Sequence, residues 1–143
     1  MVTGKILFPD NRRLVAQPIG KFSSVAEMPV TNAEIAFLGR SNSGKSSLLR
    51  ALLQTDKPPQ ISSRPGSTRL IQLYQLGSDK EDSTRLTLAD FPGYGYAQSS
   101  AVFRKRFSTF LADYITTRQG VKAVCLMMDC RRKLEDEEKE IAA

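Results

Sequence analysis

The segment Gly39-Arg40-Ser41-Asn42-Ser43-Gly44-Lys45-Ser46 constrains this chain more than any other, because it satisfies G-x-x-x-x-G-K-[ST] at every fixed position. Its flanks are the ones the pattern requires. Ile35-Ala36-Phe37-Leu38 is a short continuous apolar run, as in a buried parallel strand. Ser47-Leu48-Leu49-Arg50-Ala51-Leu52-Leu53 is rich in strong helix formers. A strand, a glycine-bearing turn and a helix in that order aim backbone N–H groups and a helix N-terminus at one point, which makes an anion site. Lys45 is placed to reach the β- and γ-phosphates of a nucleoside triphosphate, and the Ser46 hydroxyl to ligate Mg²⁺. Gly39 through Ser46, with Ser47 behind them, are therefore the expected phosphate contacts.

Composition narrows the chemistry. The 143 residues include no His, which excludes His-ligated zinc, His-based triads and His general bases. Cys125 and Cys130 are the only cysteines, too few for a four-ligand metal site, and read as small core residues in a reducing compartment. No apolar run reaches the roughly 18 to 20 residues that span a bilayer, and nothing near Met1 resembles a signal peptide, so no membrane partner is expected. The formal charge of +6 is unevenly spread, because residues 133–143 carry five acids against two lysines. The basic body that remains is compatible with a polyanion such as RNA, or is simply solubilising.

The remaining pattern predicts an α/β domain with a mostly parallel sheet. Residues 1–33 are irregular, punctuated by Pro9, Pro18, Gly20 and Pro29, and read as an N-terminal extension in which short apolar stretches such as Ile6-Leu7-Phe8 either pack on the domain or form an edge strand. Residues 54–67 read as a loop. Leu70–Leu76 and Arg85–Ala89 read as an antiparallel hairpin, 101–118 as an amphipathic helix and Val121–Met128 as a strand. A charged helix follows from Leu134. Phe103, Phe107 and Phe110 recur at helical spacing and are expected in the core, while Arg104, Lys105 and Arg106 form a solvated face or touch RNA. Cut at Ala143, the Val121–Met128 strand is expected to be an unprotected sheet edge.

Asp90-Phe91-Pro92-Gly93 follows the second hairpin strand, about 45 residues after the phosphate loop. A carboxylate at a strand end acts on Mg²⁺, and a glycine N–H three residues later senses the γ-phosphate. The loop before the first hairpin strand supplies Gly66, Ser67, Thr68, Arg69 and Leu70, and of its hydroxyls Thr68 is favoured to complete the Mg²⁺ shell. The predicted catalytic set is thus Lys45, Thr68, Asp90 and Gly93, and the metal set Ser46, Thr68 and Asp90.

Together, Ile35 through Ser47, Pro65-Gly66-x-Thr68 and Asp90-Phe91-Pro92-Gly93-Tyr94-Gly95-Tyr96-Ala97 resemble the EngB-type (YihA/YsxC) GTPases, an Era-like, septin-related branch of the P-loop GTPases. The resemblance extends to Met127-Met128-Asp129-x-Arg131. It implies a three-layer α/β/α G domain with one antiparallel hairpin strand, and Mg²⁺-dependent hydrolysis of GTP to GDP. It also implies a switch in large-ribosomal-subunit assembly linked to cell division and septation, in a bacterial cytoplasm or an organelle matrix. Tyr94 takes the place of the water-orienting Gln of Ras-like proteins, which implies slow intrinsic hydrolysis. Asn42 matches a position that binds K⁺ in some relatives, or else braces the loop. Tyr94 and Tyr96 either contact a partner or pack on the following helix. Ser67 and Arg69 stand where the family usually has Arg and Gln.

Neither an [NT]-K-x-D loop, which reads guanine, nor a Ser-Ala-[KL] loop occurs in the sequence. Residues 34–143 are therefore expected to be a G domain without its last strands. Two other readings stay open: an ATP-dependent P-loop kinase, and a module that binds nucleotide or phosphate without hydrolysing it.

Overall fold

The computed structural model describes residues 14–53, 70–78, 86–95 and 101–142. Its strands are β1 (Leu14–Phe22), β2 (Glu34–Gly39), β3 (Ile71–Ser78), β4 (Leu86–Asp90) and β5 (Val121–Met127), and its α-helices are α1 (Lys45–Leu53), α2 (Ala101–Thr117) and α3 (Asp136–Ala142). A single 3₁₀ turn, Val25–Glu27, precedes β2.

The strands form one sheet in the order β1-β3-β4-β2-β5. β2 pairs in parallel with both β4 and β5, whereas β3 runs antiparallel to β1 and β4. Four strands therefore share one direction and β3 alone opposes them, as the sequence led one to expect. β5 occupies one end of the order, with no strand on its outer side among the described residues.

Residue parity sorts the core into two layers, because successive strand side chains face opposite sides. Ala36 and Leu38 of β2, Ile71 and Leu73 of β3, and Ala89 and Phe91 at β4 pack with Leu111 and Tyr114 of α2. On the other face Phe37, Tyr74, Leu76 and Leu88 pack against Leu49 and Leu53 of α1. Helices thus cover both sides of the sheet, giving three layers. Phe91 anchors the α2 side, with the rings of Phe107, Phe110 and Tyr114 edge-on at centroid distances of 6.4, 6.1 and 4.9 Å. Phe107, Phe110 and Tyr114 pack into this core as their spacing predicts, whereas Phe103 is half-buried and stacks on Phe107, and Arg104, Lys105 and Arg106 are exposed. Of the two cysteines expected in the core, Cys125 is half-buried and Cys130, beyond the end of β5, is exposed.

The N-terminal segment departs from the sequence reading. Leu14–Phe22, expected to belong to an irregular extension, is a nine-residue strand paired with β3 from Leu14↔Ser78 to Phe22↔Ile71. Pro18 and Gly20 hid it by breaking the alternation, and the register shifts between them. A proline is tolerated here because β1 is an edge strand, where a missing N–H can face away from the ladder. Ile6-Leu7-Phe8 lies outside the described residues.

A buried ionic cluster ties the sheet to α2 at the end away from the phosphate loop. Glu34 is fully buried and accepts hydrogen bonds from Tyr114 Oη at 2.6 Å, from Arg118 Nε at 3.0 Å, and from Arg118 Nη2 and Thr31 Oγ1. Burial alone would raise the Glu34 pKa, but these hydrogen bonds outweigh it and leave it lowered. Burial and the Glu34 carboxylate together drive the Tyr114 phenol far above its usual range.

Candidate nucleotide-binding site

The phosphate loop joins the end of β2 to the start of α1. Two of its residues adopt the left-handed conformation, Asn42 at φ 67° and Gly44 at φ 90°. Asn is one of the few L-residues that tolerates this region, and Gly44 has open space where a Cβ would stand. Alternating left- and right-handed backbone curls N–H groups toward a common concavity, the geometry of an anion nest. Gly39 is required for packing instead: a Cβ there would come within 2.9 Å of the Met127 carbonyl oxygen on β5. Inside the loop the Ser43 N–H donates to the Arg40 carbonyl at 3.1 Å, and the Ser43 hydroxyl is buried with no partner among the described residues.

At the mouth of α1, Lys45 Nζ pairs with Asp90 Oδ1 at the end of β4, and both residues are buried. Parallel pairing of β2 with β4 explains the meeting, because both strands end at the same rim of the sheet. Open α/β sheets bind ligands at this rim, outside the carboxyl ends of the strands. Burial raises the Asp90 pKa, opposed by the Lys45 ammonium. Asp90 is thus a carboxylate held partly against its preference, with its one described countercharge on the loop lysine. Near it, the Tyr74 hydroxyl is buried without a partner among the described residues, and its pKa is pushed up to about 12 by burial and by the Asp90 charge.

After Asp90 the chain continues alongside the loop. Phe91 N donates to Phe37 O at 3.1 Å, Tyr94 N to Gly39 O at 3.3 Å and Ser41 N to Tyr94 O at 3.0 Å. Gly93 is thereby laid against Ser41, where an added Cβ would come within 3.0 Å of Ser41 Oγ. Phe91 and Tyr94 are buried and Pro92 half-buried. The structure therefore brings Gly39 through Ser47 together with Asp90, Phe91, Pro92 and Gly93 at one rim. Leu70 is exposed just before β3, and Gly66, Ser67, Thr68 and Arg69 lie outside the described residues, as does Tyr96. Tyr94 packs on the following helix, its ring 6.0 Å from that of Phe107.

Hard oxygen donors suit Mg²⁺; the Asp90 carboxylate stands against the lysine that would face phosphate, and Ser46 follows that lysine in the first turn of α1. Among the described residues no cluster of three or more His, Cys, Asp or Glu offers a metal site of its own. A cation here would accordingly be shared with phosphate oxygens.

Sequence reasoning missed the contacts that α3 makes with this site. The sequence marks α3 only as a charged helix, yet Glu138 is just 3% exposed. It accepts a hydrogen bond from Tyr94 Oη at 3.3 Å and lies 3.5 Å from Arg40 Nη1. Glu135 binds the same Arg40 nitrogen at 2.7 Å. Beside them Asp129 accepts Arg131 Nε at 2.9 Å and Nη2 at 2.7 Å, which holds its carboxyl far below the usual range. These groups and the loop residues Arg40 to Ser43 line a cleft of about 160 Å³.

The chain is similar to known GTP-binding proteins. A family model described as 50S ribosome-binding GTPase matches residues 34–143. The probable GTP-binding protein EngB of Francisella philomiragia is 38% identical over 115 residues, covering 80% of this chain and 55% of that protein. Those of Tolumonas auensis and Lacticaseibacillus casei are each 44% identical, covering 72% and 70% of this chain and 46% and 48% of theirs. A crystal structure of a probable GTP-binding protein engB superposes with a TM-score of 0.48 at 27% identity, covering 68% of this chain and 49% of the other. The chain spans about half the length of the relatives it matches. By this match the chain belongs to the family of 50S ribosome-binding GTPases, and its relatives there are EngB-type GTP-binding proteins.

Proposed function

We propose that this chain is the nucleotide-holding part of a GTPase that binds GTP and GDP with Mg²⁺, hydrolyses GTP slowly, and acts as a switch on the large ribosomal subunit. The observation that carries the reading is the meeting of Lys45, Asp90 and Gly93 at the rim of the phosphate loop. In this reading the amides of Asn42 to Ser47 and the Lys45 ammonium hold the phosphates. Ser46 and Asp90, with Thr68, hold Mg²⁺, which when bound supplies charge neutralisation between the β- and γ-phosphates. Lys45, paired with Asp90 here, would then give its ammonium to phosphate, and the Asp90 carboxylate would be left to hold the cation. Gly93 offers its N–H to the γ-phosphate, so the segment from Asp90 to Tyr94 responds to the third phosphate.

A phenol at Tyr94 is a poor substitute for a water-orienting amide, and here it is packed against α2 and α3. Hydrolysis then depends on help from a partner or a cation such as K⁺, for which Asn42 is the candidate ligand. The ribosomal part of the reading is supported by the family description and by the basic body of the chain. A role in cell division would follow from that one. Titration of the intact protein, with any guanine-reading loop in place, against GTP, GDP and ATP in the presence of Mg²⁺ tests the nucleotide reading, and equal affinity for ATP and GTP would refute it. Co-sedimentation with purified 50S subunits tests the partner: retention is expected with a non-hydrolysable GTP analogue and not with GDP.

A further inference from the structure

We propose that Glu138 is a positioning residue that pins the segment following Asp90 against the phosphate loop, and so sets how hard a third phosphate must pull to rearrange it. The inference rests on the nucleotide reading above and adds a residue outside every motif that led to it.

Tyr94 is held at both ends. Its backbone is zipped to the loop strand through Gly39 O and Ser41 N, at 3.3 and 3.0 Å. Its ring is 4% exposed and rests on Phe107, and its hydroxyl donates to Glu138 Oε1. Glu138 is itself fixed. Its other oxygen, Oε2, accepts the Glu135 N–H at 3.0 Å, and Arg40 of the loop stands 3.5 Å from Oε1. A buried carboxylate needs such partners, because leaving it unpaired would cost far more than the hydrogen bonds return. Here the partners come from the loop, from the segment after Asp90, and from the turn that starts α3. One side chain therefore reports on all three.

Gly93 immediately precedes Tyr94. While Tyr94 stays zipped, Gly93 stays laid against Ser41. A diphosphate makes no demand on Gly93, whereas a γ-phosphate recruits its N–H and must work against the restraint. The hydroxyl-to-carboxylate bond adds to the restraint from a site that touches neither phosphate nor metal. Removing it should favour triphosphate selectively.

The test uses Glu138→Gln and Tyr94→Phe, which keep shape and burial. First, amide hydrogen exchange is measured without nucleotide. The Ser41 and Tyr94 amides should exchange about three- to tenfold faster in both variants, the range expected for one ordinary hydrogen bond, as suits a contact of 3.3 Å. Ala36 to Leu38 should keep wild-type protection, which shows that the sheet is intact. Second, the affinity ratio of a non-hydrolysable GTP analogue over GDP should rise by a similar factor, with GDP affinity within about twofold of wild type. The double variant should add little to either single one, since both remove the same contact. Unchanged exchange at Ser41 and Tyr94 in both variants overturns the proposal, as does faster exchange with an unchanged nucleotide ratio. A wild-type protein that binds neither guanine nucleotide overturns the functional reading instead, and the exchange experiment still judges the restraint.

Discussion

Replacing Arg118 with Ala should be among the most destabilising single changes in the described part of this protein. Glu34 has no exposed surface, and Arg118 supplies two of its four hydrogen-bond donors and its only described countercharge. Truncation leaves a buried carboxylate with Tyr114 and Thr31 alone, a situation that costs about 3–5 kcal/mol. It also removes the Arg118 Nη2 bond to the Pro29 carbonyl at 2.8 Å and the guanidinium 5.8 Å from the Tyr114 ring, which favour the upper end. For a chain of this size the loss corresponds to a fall in Tm of roughly 10–18 °C. Urea unfolding followed by circular dichroism at pH 7 gives the free-energy difference.

The pH dependence adds a second check. The folded Glu34 pKa lies below its unfolded value, so its contribution is present above the unfolded pKa and lost as pH falls through the folded one. In the Ala variant burial is no longer opposed by the guanidinium, so the carboxyl takes up a proton at higher pH. The gap between wild type and variant should narrow steadily below about pH 5. The double change Glu34→Gln with Arg118→Met removes both charges and keeps an acceptor for Tyr114, and should recover most of the loss. A wild-type-like urea midpoint for Arg118→Ala at pH 7 would refute the argument.

Three further predictions concern the nucleotide site. Lys45→Met removes the charged donor and leaves Asp90 buried without it, and should weaken GDP binding about 10- to 100-fold by calorimetry, so undiminished affinity counts against the lysine's role. Asp90→Asn should abolish the gain in GTP-analogue affinity that Mg²⁺ gives the wild type, with affinity in chelator unchanged or higher, and an intact Mg²⁺ effect would remove Asp90 from the metal set. Gly39→Ala places a Cβ 2.9 Å from the Met127 carbonyl and crowds Ser43. It should cost about 1–3 kcal/mol and most of the nucleotide affinity, whereas a variant melting and binding like wild type would show that β5 yields there.

The phosphate loop was legible because its glycine spacing and flanking elements encode a backbone path that few other residues permit. Asp90 and Gly93 were legible once a strand end could be placed before them. Helix α2 was equally plain, since its aromatics recur at one period and meet Phe91 from above. What escaped the sequence was charge in the interior. Glu34 and Glu138 are acidic residues, and such residues are buried only when distant partners satisfy them. Those partners, Arg118 and Tyr114 for one, Arg40 and Tyr94 for the other, lie 44 to 98 positions away by their residue numbers. No local pattern reports such a pairing. β1 escaped for a different reason, because Pro18 and Gly20, where its register with β3 shifts, interrupt the alternation that announces a strand.

That strand also separates two meanings of a domain boundary. The match to the GTPase family model begins at Glu34, but β3 is bonded along its length to residues that come before it. A truncation starting at Glu34 would keep every recognisable motif and still strip one whole flank from β3. The bared flank would be a template for other chains, and its strand follows directly on Leu70, where the segment bearing Thr68 joins the sheet. Loss of β1 would then register as aggregation and blunted nucleotide response, in a protein whose catalytic motifs were untouched.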